Sequence, residues 1–347
     1  MKKKFAKQVF EQIRGFGEYG FPESHAASFA HIAYATAYMR CHYPAEFICA
    51  LLNAQPMGFY TPATIVNDAR IHGIEIRSVD IRHSRWECTL EKIEDTSGKA
   101  NIKNSNVGTK HKIFAVRVGL RYIRGFGKKD WDKLELAMSK APFRDIQDIV
   151  QRSGINKGKL ESLAVAGAFN CFGKERRYSI WDILGTKEYY QSPLLLKMDN
   201  PLPKFKSLGD LETICWDHQT SGHSVQGHLL KPRRSELTAQ GIPTARELNR
   251  MSDGDTVKYV GLVISRQKPK TAQGVTFMTL EDETGFVNLV IWKQVFENNI
   301  TLAKKLYYIG VTGKLQVGEG LVHLIVKSIW NPALDDQLLY LQSRDFR

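Results

Sequence analysis

Hydrophobic positions recur at helical spacing through the first part of the chain and change to strict alternation near residue 256, so a helical region precedes a β-rich one. Phe5, Val9, Phe10 and Ile13 predict a helix over residues 3–13, which the glycine-punctuated residues 15–22 cannot continue. Ser24 is the expected N-cap of a helix over residues 25–42. Its Ala, Phe, Ile, Tyr and Met residues point almost all round, the pattern of a helix buried in a core. Pro44 opens the next helix, which carries Phe47, Ile48, Leu51 and Leu52. A shorter amphipathic helix over residues 62–72 and a strand over 74–79 follow. Residues 92–112 are polar and read as a loop, residues 114–184 as a compact helical segment, and residues 186–254 as a structured linker region.

Alternating, β-rich runs cover residues 256–265, 275–281 and 285–292. A short helix over 293–298 separates them from runs at 306–315 and 321–329. Three strands, a helix and two strands is the element order of an OB-fold, a small Greek-key barrel. The expected fold class is multidomain: mainly α, with tandem helix-hairpin-helix units, followed by an all-β OB-fold barrel. Residues 332–347 form a tail.

Charge sharpens this picture. The net charge is +13, and between Lys110 and Arg177 16 Lys+Arg stand against 7 Asp+Glu, so the excess is concentrated in the helical segment. Clustered positive charge releases counterions on meeting phosphates, the footprint of a nucleic-acid binder. Five scattered cysteines without a C-x-x-C pair argue against a disulfide framework and fit a reducing cytoplasm. Cys215, His218, His223 and His228 have zinc-compatible side chains but lack two compact ligand pairs, and read as a His-rich linker. The apolar stretch over residues 26–39 is too short for a bilayer, so no membrane association is expected.

The sharpest local motif is Leu120-Arg121-Tyr122-Ile123-Arg124-Gly125-Phe126-Gly127-Lys128-Lys129, which fits a helix, a tight Gly-x-Gly turn and a second helix. Gly125 and Gly127 let backbone N–H groups approach a phosphate at the positive end of the following helix. Arg121, Arg124, Lys128 and Lys129 add charge there. Residues 155–160 offer a second hairpin, with Lys157 and Lys159 around Gly158. In the barrel, Arg266, Lys268 and Lys270 lie on the first inter-strand loop, where OB-folds bind oligonucleotides. Phe277 and Trp292 are placed either to stack on bases or to fill the core. No catalytic set is evident: there is no paired-Asp metal site, Walker loop, H-E-x-x-H or G-x-S-x-G. Glu281-Asp282-Glu283 reads as a β-turn.

Residues 17–30, Gly-Glu-Tyr-Gly-Phe-Pro-Glu-Ser-His-Ala-Ala-Ser-Phe-Ala, with His42-Tyr43-Pro44-Ala45-Glu46-Phe47, resemble the fingers region of C-family bacterial DNA polymerases. Pro22-Glu23, with residues 55–60 downstream, is similar to the error-prone, damage-inducible branch of that family. Further matches fall at residues 86–91, 118–127, 167–169, 176–177, 276–292 and 343–346. The resemblance implies fingers-like helices over residues 1–100, a helix-hairpin-helix DNA-binding domain over 105–185, the linker over 186–254 and the OB-fold over 255–331. It also implies a nucleotide-facing surface at Tyr19, Ser24 and His25, a grip on primer–template DNA and single-stranded template, and work with accessory mutagenesis proteins in translesion synthesis. The family's palm, with three catalytic aspartates and their Mg²⁺, is not matched, so the chain alone is not expected to extend a primer and no cofactor is expected on it. Residues 191–195 match the family's sliding-clamp peptide poorly, and direct clamp binding is not expected. The competing reading is a free-standing OB-fold and helix-hairpin-helix accessory protein without catalysis.

Overall fold

The computed structural model describes residues 5, 7–11, 14, 23–58, 60–93, 114–185, 203–269, 272, 274–318 and 321–333. Two helices with Pro at their starts set up the first layer. In α2 (Pro44–Asn53) and α3 (Pro62–Ile71) the ring sits where an amide donor would lack a partner anyway, and Thr61 caps α3 by accepting the Thr64 N–H at 3.2 Å. Ile48, Leu52, Ile65, Val66 and Ala69 of these helices pack on a small sheet of β1 (Ile76–Arg77), β2 (Thr89–Lys92) and β3 (Phe114–Arg117). The order is β1-β3-β2, with β1 parallel and β2 antiparallel to the central strand. Arg117 grips Glu91 with two bonds of 2.8 Å and Arg77 adds a third contact, so the Glu91 carboxyl is held down at about 2, chiefly by Arg117.

Three expectations are corrected by the structure. The long helix α1 (Glu23–His42) is not buried: Phe29, Ile32 and Tyr34 are 57%, 59% and 73% exposed. Its C-terminal end is held, where Arg40 meets Asp68 at 3.1 Å and the Tyr43 amide continues the helical bonding to Met39. An all-round apolar pattern identifies a helix without a polar face, but it cannot supply the layer that would cover it. Glu23 is already helical, which places Ser24 within α1 rather than at its cap. Lastly, the block expected to be helical from Phe114 opens as the central strand β3, with Ala115 and Val116 buried.

The helical module follows a single 3₁₀ turn (Leu120–Tyr122): α4 (Lys128–Lys140), α5 (Ile146–Ser153), α6 (Lys157–Val165) and α7 (Arg176–Gly185). Leu120, Ile123, Trp131, Leu134, Ile149, Leu160, Leu163, Phe169 and Ile183 form its core. The described residues of the expected linker do more than connect. Ile214 of α8 (Asp210–Ser221), Leu237 of α9 (Arg234–Ala239) and the intervening Leu229, Leu230 and Ile242 form one cluster with Val260 and Tyr308 of the barrel, while α10 (Ala245–Leu248) packs Ala245 and Leu248 into the barrel core. On the opposite side Asp217 of α8 pairs with Arg176 of α7 at 2.7 Å, both being buried. Gly167 admits this pair: it has φ +81°, and a Cβ there would lie 2.8 Å from the Arg176 Nε.

The last module is a closed barrel of β4 (Thr256–Gln267), β5 (Thr276–Asp282), β6 (Gly285–Ile291), β7 (Tyr308–Gly318) and β8 (Leu321–Trp330), in the order β4-β5-β6-β8-β7. The strand and helix order read from the sequence holds, with two short helices, α11 (Lys293–Asn298) and α12 (Ile300–Lys305), where one was expected. Gly310 lies opposite Trp330, and a Cβ there would meet the indole ring at 2.4 Å, so only hydrogen fits. With its helical module and five-stranded barrel, the molecule has the multidomain class expected.

The Arg176–Asp217 pair gives a direct test of the module joint. Asp217→Ala leaves a buried guanidinium without its carboxylate and is expected to cost about 3–5 kcal/mol in urea unfolding. A destabilisation below about 1 kcal/mol would mean that solvent replaces the pair and that the joint is open to water.

Candidate nucleic-acid interface

The first hairpin is built by three buried anchors. Leu120, Ile123 and Phe126 point into the helical core, which forces the intervening Arg124 and Gly125 outward into solvent. Gly125 turns the chain with φ +82°, a left-handed conformation that glycine adopts without a Cβ clash. Gly127 then precedes α4, and its N–H donates to the Asp130 carboxylate at 3.0 Å. Lys128 and Lys129 open the helix, where first-turn amides lack intrahelical acceptors and the helix dipole is positive. Both side chains are exposed. Lys128 lies 3.3 Å from Asp132, with both partners more than half exposed, a pairing that solvent weakens greatly. The expected helix before the turn is reduced to the 3₁₀ turn, because β3 runs to Arg117 and leaves only a few residues before Gly125.

The second hairpin joins α5 to α6 through Gly154, in the left-handed region with φ +61°, and Asn156, whose side chain accepts the Gly158 N–H at 2.9 Å. The two hairpins touch: the Lys159 ammonium donates to the Gly125 carbonyl, and the Ser162 hydroxyl lies 3.6 Å from where a Gly125 Cβ would be. Lys157 donates to the Leu184 carbonyl at 2.8 Å. These lysines therefore lace the turns together as well as adding charge.

Two arginines expected at a ligand are placed inside the fold instead. Arg121 donates to the Asn53 and Gln55 carbonyls at 2.9 and 2.6 Å and meets Glu87 at 3.3 Å, tying the end of α2 to the hairpin. Arg266 is buried and donates to the Ala303 and Leu306 carbonyls, pinning α12 to the barrel. A guanidinium satisfies several carbonyls at once, and this makes it a strut as readily as a ligand contact. Arg124 keeps an exposed side chain, while its amide donates to the Thr220 carbonyl at 2.7 Å.

On the barrel, Phe277 and Trp292 are 40% and 55% exposed, so neither fills the core. Lys268 is exposed just after β4, its ammonium 5.4 Å from the Phe296 ring centroid. Lys270 and Tyr19 lie outside the described residues. Ser24 and His25 are both exposed at the start of α1.

The His-rich segment is buried rather than solvated. The His223 ring packs edge-on to Tyr122, and the His228 Nδ1 accepts the Leu230 N–H at 3.1 Å. Burial pushes His218 down to about 3, and His223 and His228 to about 4. Among the described residues, no group of three or more His, Cys, Asp or Glu is arranged to hold a metal ion. No described helix is long and apolar enough to cross a membrane.

The acidic run at the end of β5 forms the expected turn, and it is also a seam between modules. Asp282 accepts the Thr284 and Ala245 N–H groups, each at 2.7 Å, while Arg234 pairs with Glu283. Glu281 is buried and accepts from the Asn67 amide of α3 at 2.5 Å. Burial pushes its carboxyl up to about 8; Asp282 and Asp68 push the same way, and the Asn67 bond opposes them. Sequence reasoning missed this seam, along with Arg176–Asp217 and residues 81–86 beside the first hairpin. Buried polar residues at distant positions leave no periodic signal.

Paired hairpins with an exposed, lysine-flanked turn, followed by a closed five-stranded barrel, define a nucleic-acid-binding protein. Family models agree: one described as a helix-hairpin-helix motif matches residues 73–179, and one described as an OB-fold nucleic acid binding domain matches residues 257–331. Along its whole length the sequence is homologous to bacterial error-prone DNA polymerases, and this is the family in which the chain falls. It is 37% identical over 354 residues to the error-prone DNA polymerase of Methylococcus capsulatus, covering 100% of this chain and 33% of that protein. The identity is 40% over 349 residues with that of Alkalilimnicola ehrlichii, covering 99% of this chain and 32% of the relative. The chain thus spans about a third of the length of these curated relatives.

Two outcomes are expected. Folded Glu281 keeps its proton to about pH 8 while the unfolded chain releases it near 4.5, so its contribution is full below that lower value and is lost as pH rises through the window. The buried histidines act in the opposite sense, so the comparison with Glu281→Gln isolates it: the variant keeps an acceptor for Asn67, cannot ionise, and should gain stability over the parent as pH rises toward 8. Identical pH–Tm curves for the two proteins would rule out a protonated Glu281. Separately, Phe277→Ala and Trp292→Ala should each weaken single-stranded DNA binding by about 1–3 kcal/mol if they stack on bases. Unchanged affinity would return both to the role of plain surface residues.

Proposed function

We propose that this chain holds primer–template DNA and its single-stranded template for an error-prone polymerase acting in damage-induced, translesion synthesis. The observation that carries this is the first hairpin, where exposed Gly125, Lys128 and Lys129 stand at the positive start of α4 with the second hairpin laced to the turn. Such a surface positions a sugar–phosphate backbone and reads no base sequence. The exposed Phe277 and Trp292 of the barrel suit the unpaired template, whose bases offer faces for stacking. Helix α1 supports the nucleotide end of the proposal: Ser24 and His25 are exposed at its start, and its bare apolar length suits a surface that closes against another module around an incoming dNTP. Residues outside this chain perform bond formation in this reading. Accessory mutagenesis proteins are further partners under the same proposal.

The purified chain should bind primer–template DNA with an affinity that falls steeply with salt. Lys128→Ala/Lys129→Ala should lower the slope of log K against log[salt] by about 0.9 for each phosphate left without its lysine, close to two in all. Binding that ignores salt would remove the electrostatic basis of the proposal, and primer extension by the purified chain would show that it does hold a catalytic metal site.

A further inference from the structure

Residues 81–86, Ile-Arg-His-Ser-Arg-Trp, precede the hairpins by more than thirty positions, yet they are fixed to the first one. The Leu120 N–H donates to the Arg85 carbonyl at 2.9 Å and the Arg121 N–H to the Trp86 carbonyl at 3.0 Å. Gly119 makes this approach possible, since a Cβ there would lie 2.5 Å from the Trp86 carbonyl oxygen and 2.8 Å from the Cys88 amide nitrogen. The turn is stiff in itself. The Ser84 N–H donates to the Asp80 carbonyl at 2.7 Å, and the buried Ser84 hydroxyl donates to the Val118 carbonyl at 2.9 Å. At its end the Lys128 ammonium stands over the Trp86 ring, 5.7 Å from the centroid, so the turn and the start of α4 meet through one side chain.

This stiff turn exposes Arg82, His83 and Arg85. The nearest carboxylates in sequence are engaged elsewhere: Asp80 accepts the Arg82 backbone N–H at 2.8 Å, and Glu87 meets Arg121. Arg82 lies over the Phe172 ring and donates to the Cys171 carbonyl at 3.3 Å, which uses part of its five-donor fork. Arg85 makes no ion pair with a carboxylate among the described residues. Both arginines line an open cleft against α4 whose one carboxylate is Glu135. A guanidinium held on a rigid backbone, in a cleft along α4 and without an ion pair among the described residues, is suited to bidentate contact with a phosphodiester.

We propose that Arg85, supported by Arg82, is a second backbone clamp that takes DNA phosphates next to those held at residues 125–129, so that the strand is gripped on both sides of Trp86. This inference rests on the reading of the first hairpin as a duplex-binding turn. It extends the phosphate surface to a segment that sequence position alone would assign to the preceding helical layer.

The test uses the full chain and a labelled primer–template duplex, with anisotropy titrations over a range of salt concentrations. Arg85→Ala should lower the slope of log K against log[salt] by about 0.9, and Arg82→Ala/Arg85→Ala by up to about twice that. Arg85→Lys should keep the slope while weakening binding, because an ammonium retains the charge and lacks the fork. Thermal melting should be unchanged for Arg85→Ala, so weakened binding can be separated from a damaged fold. An unchanged slope for Arg85→Ala, alongside a reduced one for Lys128→Ala/Lys129→Ala, overturns the clamp and leaves the hairpin reading standing. Unchanged slopes for both overturn the hairpin reading and the clamp together.

Discussion

The buried ion pair between Arg176 and Asp217 joins the two halves of this molecule, and much of the arrangement depends on its being satisfied. A guanidinium and a carboxylate removed from water are tolerable only together, at short range and with further partners. Here Arg176 also donates to the Val165 carbonyl at 3.0 Å, and Asp217 accepts from the Ser224 hydroxyl at 2.6 Å. The pair fixes α8 on the helical module, and α8 in turn presents Ile214 to the apolar cluster shared with the barrel. A charge pair is directional where apolar burial is not, so the contact sets the register of the bridge as well as holding it. The small Gly167 is part of the same device, because any side chain there would occupy the space of the guanidinium.

Around this joint, the cations divide by what their surroundings ask of them. Arg121 and Arg266 sit within reach of several backbone carbonyls, and both are drawn into the fold. Lys128 and Lys129 sit at a helix start, where the local field is already positive and carbonyl acceptors point away along the helix. They remain in solvent, facing whatever anion arrives. A basic composition is therefore not the same thing as a basic surface, and the difference is decided by the acceptors each side chain can reach.

The seam of Asn67 with Glu281 adds a second kind of contact between the first helical layer and the barrel. It is neutral rather than ionic, since burial without a cation at hand favours the protonated carboxyl. The barrel is thus held against the rest by an apolar cluster, by this neutral hydrogen bond and by the Arg234 pair with Glu283. The helical module and bridge share the buried Arg176–Asp217 pair together with neutral contacts such as Tyr122 on His223.

By itself, the sequence determined the modules and their order. Helical spacing, proline at helix starts and alternation after residue 256 are local patterns, and the barrel strands, α2, α3 and the first hairpin's glycine turn were legible from them. The outward set of Lys128 and Lys129 was also legible, because Leu120, Ile123 and Phe126 leave them only the solvent side. Only the tertiary structure decided that residues 203–254 form a bridge, that α1 stands bare, that Phe277 and Trp292 face outward, and which arginines act as struts. Each of those outcomes depends on a partner far away in sequence, or on a covering layer missing from the described residues. Local periodicity records how a segment folds, and it carries no information about what will lie against it.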